Sequence, residues 1–272
     1  MIKFIFVGLS LISIYVFSVP GDTISTFTLE GQPTWGAHGL AYDPADGNIW
    51  AAGPNDNNNC IFCKFKNDTS HSIVQNWQKL QGQYWVYDIG YPYLYSSIDT
   101  IVAVDMNSPR IKIYNKDNGQ YLGSFSSDPF GSDTAGIDIN KYDKLTSYAS
   151  GYQISLIRKW NGYSWSDWAT PGSHPLGVAF GWDHIFVIHT SPTYSIWVFN
   201  LDGTKDAEIK LNNWTSGLMY GLSRGRDNCV GENDSLYATC ESPSRVIKEI
   251  EIGDYNTEIE TTSIGDIKAL FK

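Results

Sequence analysis

Apolar residues in this chain fall in short runs separated by clusters of Gly, Asn, Asp and Ser, and the order of the runs recurs. In HGLAYDPADGNIWAAG, residues 38–53, a glycine opens an apolar run, an acidic turn breaks it, and a second apolar run follows. The same opening returns as VYDIGYP at Asp88, TAGIDIN at Gly136, PLGVAFG at Gly177 and MYGLSRG at Gly221, at spacings of 49, 48, 41 and 44 residues. Each opening is followed by a second run (NIWAA, TIVAV, KLTSYA, HIFVIH, SLYATC) and a third (CIFCKF, RIKIYN, ISLIRKW, SIWVFN, RVIKEIEI). A more polar fourth run, such as QYLGSFS or DAEIKL, closes the unit. Turns such as KDNGQ, LDGTK and WNGYS carry the Asn-Gly and Asp-Gly pairs that suit the left-handed angles of tight hairpins. No window sustains a helical period for three turns. The pattern predicts an all-β chain: a single β-propeller of four-stranded blades, first strands lining a central channel and fourth strands meeting solvent. Short strands and glycine turns also occur in sandwiches, but five copies in register at this period fit the propeller.

A ring must join its last blade to its first without leaving long open edges. TISTFTL, residues 23–29, precedes the first complete copy and reads as an outer strand without a blade of its own, hence as the closing strand. The tail SIGDIKALFK, residues 263–272, reads either as a short helix capped by Ser263 and Asp266 or as a strand of a partial blade. Five complete copies predict five blades, and the extra strand and tail leave six possible. Residues 1–18 join an early cation at Lys3 to an apolar core and a small residue, the pattern of a secretory signal. That core is shorter than a bilayer span needs. The expected organisation is a signal peptide over 1–18, a propeller over 19–262 and a tail over 263–272. The expected product is a secreted or extracytoplasmic protein, periplasm and cell surface included, monomeric and not inserted in a membrane after cleavage.

Composition narrows the partners. A formal charge of −10, from 19 cations and 29 anions, argues against nucleic acid or an anionic membrane as partner and suits a neutral or cationic one. Four cysteines in an exported chain imply disulfides. Cys229 and Cys240 flank one loop and are the expected bridge, with pairing to the Cys60 region as the rival. CIFC at 60–63 supplies half of a zinc site, but no second close pair accompanies it. DPADGN at 43–48 and GPNDNNN at 53–59 are rich in oxygen ligands, yet lack the spacing and terminal Glu of an EF-hand loop and read as polar turns. Three glycosylation sequons begin at Asn67, Asn213 and Asn233.

GLAYDPADGNIWAA resembles the repeat word of the NHL, streptogramin-lyase and gluconolactonase-like propellers, with a partial second likeness in LGVAFGWDHIFVI, residues 176–188. That resemblance implies the architecture. It also implies two kinds of chemistry: a metal with a histidine in the lyases, and calcium held by one Glu, two Asn and one Asp in the lactonase-like enzymes. Neither set maps residue by residue onto this chain, and no HExxH or phosphate-binding glycine loop occurs; GLSRG at 221–225 has the letters of GxSxG but is the opening word of a repeat, not a strand-to-helix elbow. In such rings the loops entering the first strands converge at one end of the channel. Trp35, His38, Trp85, Asp88, Asp133, Thr134, His174 and Tyr220 occupy those positions and are the candidate ligand-binding residues. Their aromatic faces suit sugar rings or peptide side chains. The alternative places the aromatics between blades and the histidines on neighbouring backbone. The expected function is a binding or interaction module for a protein, peptide or glycan ligand, without a cofactor. A lactonase-like or lyase-like enzyme with calcium in its channel is the competing expectation.

Overall fold

The computed structural model describes residues 20–253, except 57–58, 106, 108–109, 173, 191–193, 213, 215–218, 227–233 and 241–244. The expected signal peptide, the C-terminal tail, Asn213, Asn233 and Cys229 lie outside the described residues.

Among the described residues, twenty strands form five four-stranded antiparallel sheets. The first blade holds β2 (Gly39–Tyr42), β3 (Ile49–Asn55), β4 (Asn59–Phe65) and β5 (Ile73–Leu80). The second holds β6 (Val86–Tyr95), β7 (Ile98–Asp105), β8 (Ile111–Asn115) and β9 (Tyr121–Ser124). The third holds β10 (Thr134–Ile139), β11 (Ser147–Gly151), β12 (Leu156–Trp160) and β13 (Trp165–Ala169). The fourth holds β14 (Pro175–Gly181), β15 (His184–His189), β16 (Ser195–Asn200) and β17 (Lys205–Lys210). The fifth runs β18 (Met219–Arg224), β19 (Asp234–Cys240) and β20 (Val246–Gly253), and its outer strand is β1 (Thr23–Phe27) from the other end of the chain. Each first strand packs beside those of both neighbouring blades, so the sheets close into a five-bladed propeller. A single 3-10 turn, Gly131–Asp133, is the helical element among the described residues, and no helix there is long and apolar enough to cross a membrane.

The interior is divided into five apolar clusters, one at each interface between blades. Successive residues of a strand serve different clusters: Leu40 packs toward the fifth blade with Tyr237 and Ile247, while Ala41 packs toward the second with Ile89 and Tyr91. Both faces of the inner strands are therefore dry, and they read as near-continuous apolar runs rather than as an alternation. Outer strands lose this pattern; β13 and β17 are largely exposed or half-buried. Cys60 and Cys63 belong to different clusters on opposite faces of β4, so CIFC cannot present both thiols to one ion. Both are free, and burial raises both thiols, Cys60 to about 12.

The repeated opening glycine has a steric cause. A Cβ on Gly221 would stand 2.2 Å from the His38 carbonyl oxygen, and one on Gly136 would stand 2.1 Å from that of Leu176, in each case the next blade's backbone. A hydroxyl completes both joints. The Gly136 N–H donates to Ser150 Oγ at 2.8 Å, and Ser150 Oγ donates to the Leu176 carbonyl. The Gly221 N–H donates to Thr239 Oγ1 at 2.8 Å, and Thr239 donates to the His38 carbonyl at 2.6 Å.

Closure follows the sequence expectation. Strand β1 pairs antiparallel with β20, with Thr23 opposite Ile250 and Phe27 opposite Ile247. Ser25 donates to the buried Glu249 carboxylate at 3.0 Å, which also receives Ser235 Oγ and the Arg226 guanidinium. Phe27 stacks on His71 at 3.6 Å between centroids, tying the closing strand to the first blade.

Candidate functional site

Loops entering the first strands do converge at one end of the ring, with mixed outcomes for the side chains. His38 is fully buried; its Nδ1 lies 3.1 Å from the Val86 carbonyl oxygen, and its ring stacks on Tyr220 at 4.7 Å and meets Trp85 at 5.4 Å. Trp35 is exposed, lies 6.2 Å from Trp85, and carries the Arg245 guanidinium over its ring. Tyr220 in turn meets Tyr87 at 5.8 Å. Trp35, Trp85, His38, Tyr220 and Tyr87 thus form one continuous aromatic cluster drawn from the first, second and fifth blades. His174 stands apart from it, in contact with Tyr152 at 4.9 Å.

Between Tyr87, Tyr220 and Tyr152 opens a pocket of about 300 Å³. Its polar wall is Asp133, Ser132 and Gln153, and its floor is made by the first residues of β10 and by Leu176. The backbone around Asp133 is fixed at both sides: its N–H donates to Phe130 O at 3.2 Å, and its carbonyl accepts from Tyr152 N–H at 2.8 Å. Of the residues picked out by sequence, Asp133, Thr134 and Tyr220 line this pocket, and His38 and His174 touch two of its tyrosines from outside the lining.

Asp88 lies elsewhere. It is fully buried below the mouth, where its carboxylate accepts N–H bonds from Ile89 at 3.0 Å, Ile137 at 3.2 Å and Leu40 at 3.4 Å, from the first strands of three blades. Asp138 does the same with Phe180 at 2.7 Å, Ile139 at 2.8 Å and the backbone of Tyr91. First strands leave N–H groups on their unpaired edges at the ring axis, and an unpaired buried N–H costs about 1–3 kcal/mol. The two carboxylates supply acceptors there and fill the axis. Burial drives both carboxyls up, Asp88 well above the usual range and Asp138 to about 8, against the lowering effect of the N–H donors.

Calcium in the channel would need carboxylate and amide oxygens free to converge on an ion. Asp88 and Asp138 direct theirs to backbone N–H groups, and among the described residues no group of three or more His, Cys, Asp or Glu side chains is placed to share an ion. The acidic turn of the first blade is likewise committed: Asp43 accepts from the Trp50 indole at 3.1 Å and pairs with Lys64 at 2.5 Å. These residues do not fit a calcium site.

Sequence reasoning missed Tyr87, Ser132, Tyr152, Gln153 and Asp138. Tyr87 precedes Asp88 as Tyr220 precedes Gly221, so strict alignment of the repeats would have found it. Asp138 shows as a charge at the repeat position where the other copies carry Ala41, Gly90, Ala179 and Ser223. Tyr152 and Gln153 come from the turn after a second strand, which reaches the same end of the ring as the entry loops.

No family profile matches the sequence, and no curated protein matches it. Solved structures share its architecture. A glutaminyl cyclase from Myxococcus xanthus superposes with a TM-score of 0.54 at 9% identity, over 86% of this chain and 99% of its own. A calcium-binding protein, regucalcin, from Agrobacterium tumefaciens superposes with a TM-score of 0.50 at 12% identity, over 88% of this chain and 97% of its own. At such identities the likeness is one of fold. The chain is a five-bladed β-propeller protein, and its activity has to be argued from its own mouth.

Proposed function

We propose that this is an exported binding module that recognises a protein, peptide or glycan ligand at the mouth of its propeller. The observation that supports the reading is the pocket of about 300 Å³ between Tyr87, Tyr152 and Tyr220. That volume is at the small end of ligand sites, so it suits one ring or one side chain of a larger ligand. Tyrosine faces offer apolar contact at low entropic cost, while Asp133, Gln153 and Ser132 offer hydrogen bonds that orient what enters. The surrounding Trp35 and Trp85 extend the contact surface beyond the pocket. Export rests on the signal-like pattern of residues 1–18, and a monomer is the simplest state for a ring whose sheets close on themselves.

The enzyme alternative has less behind it. One fold neighbour is a cyclase and another is a calcium binder, but at these identities neither activity transfers.

The test is a screen of the mature chain against glycan and peptide arrays, repeated with Tyr152→Ala and Gln153→Ala, both at the pocket rim. Hits that vanish in these variants while the melting midpoint holds support the reading. Hits that survive both variants place recognition elsewhere.

A further inference from the structure

We infer that the mouth pocket accepts an alkylammonium group of the ligand, an inference that rests on the mouth being the recognition site. Three tyrosines reach it from separate segments: Tyr87 opens the second blade, Tyr220 opens the fifth, and Tyr152 follows the second strand of the third. Among the described residues, no Lys, Arg or His is part of the lining. Asp133 stands among these rings, and among the described residues its carboxylate has no cation beside it and no hydrogen-bond donor. Its backbone bonds to Phe130 and Tyr152 hold it there.

A carboxylate without a counter-charge attracts a cation and repels an anion. Aromatic rings act in the same sense, because the quadrupole is negative over the face and binds ammonium groups, quaternary ones above all; one face of Tyr220 is already stacked on His38. Elsewhere in this chain aromatic faces already meet cations, with Lys205 over Trp197 at 3.4 Å and Lys248 over Trp214 at 4.0 Å, but each of those rings is served by a cation of the chain itself. Tyr87 and Tyr152 have none among the described cation contacts. A net charge of −10 favours the approach of a cationic ligand over the whole surface.

The probe is choline, compared with its neutral isostere 3,3-dimethyl-1-butanol, by NMR titration of the mature protein. Choline should bind tighter by roughly tenfold or more, and Asp133→Asn should remove most of that preference while leaving the isostere unchanged. Tyr152→Ala should weaken both probes. Equal affinity for choline and isostere, with both lost in Tyr152→Ala, overturns the cation inference and leaves mouth recognition standing. Binding of neither probe also overturns it, and the array screen separately decides whether the mouth recognises anything. If choline is preferred, trimethyllysine against glycerophosphocholine distinguishes a peptide side chain from a lipid head group as the source.

Discussion

The carboxylate of Asp138 at the ring axis makes stability depend on pH in an unusual direction. An ordinary aspartate in the unfolded chain ionises near pH 4, whereas burial raises Asp138 to about 8. Across that window the folded protein holds one proton more than the unfolded chain. Stability from this group is therefore fully present at acid pH and is lost as pH rises toward 8, by up to about 1.4 kcal/mol per pH unit. Over the whole window the loss is on the order of 5 kcal/mol. Asp88 is raised as well and acts in the same direction. His71 acts oppositely: burial lowers it, so its contribution grows as pH rises to the unfolded value near 6.5 and is constant above. The clean interval is thus roughly pH 6.5 to 8. Urea unfolding at several pH values in that interval gives the slope of stability against pH, and Asp138→Asn supplies the control. The variant loses an acceptor for the Phe180 or Ile139 N–H and is less stable throughout, but its profile should be flatter by as much as one proton's worth. Parallel profiles for the two proteins would refute the assignment and mean that Asp138 is ionised in the fold at neutral pH.

Two further outcomes follow from the ring. Deleting residues 22–30 should remove more than about 4 kcal/mol, beyond most point substitutions, and promote association through the edge of β20, because the β1 pairing, the Ser25 bond to Glu249 and the Phe27 stack are lost together; an unchanged melting midpoint and a monomeric sedimentation profile would contradict it. Gly221→Ala should cost about 3 kcal/mol by overpacking, since its Cβ meets the His38 and Gly39 backbone rather than a movable side chain; thermal unfolding that matches wild type within error would show that the first and fifth blades can separate there freely.

The architecture was legible in the chain alone, and the reason is local. Each blade is made of contiguous hairpins whose apolar runs and Asn-Gly turns are encoded within some forty to fifty residues, and the opening glycines at 39, 136, 177 and 221 mark where backbones of adjacent blades touch. The closing strand was legible too, because TISTF has no sheet of its own and an unpaired edge needs a partner. The environment of each mouth residue was not legible there and depends on the assembled ring. Asp88 and Asp133 occupy nearby positions in their repeats, yet one is fully buried on the amides of three blades while the other stands in a tyrosine-lined pocket. That difference depends on how closely five first strands approach around the axis, a distance set by all five interfaces at once. The same holds for His38, buried against Tyr220 and the Val86 carbonyl, and for Tyr152, which arrives from a turn the repeat pattern does not mark. Hairpin pairing is a short-range property of the chain; the chemistry of the mouth arises where segments from all five blades meet.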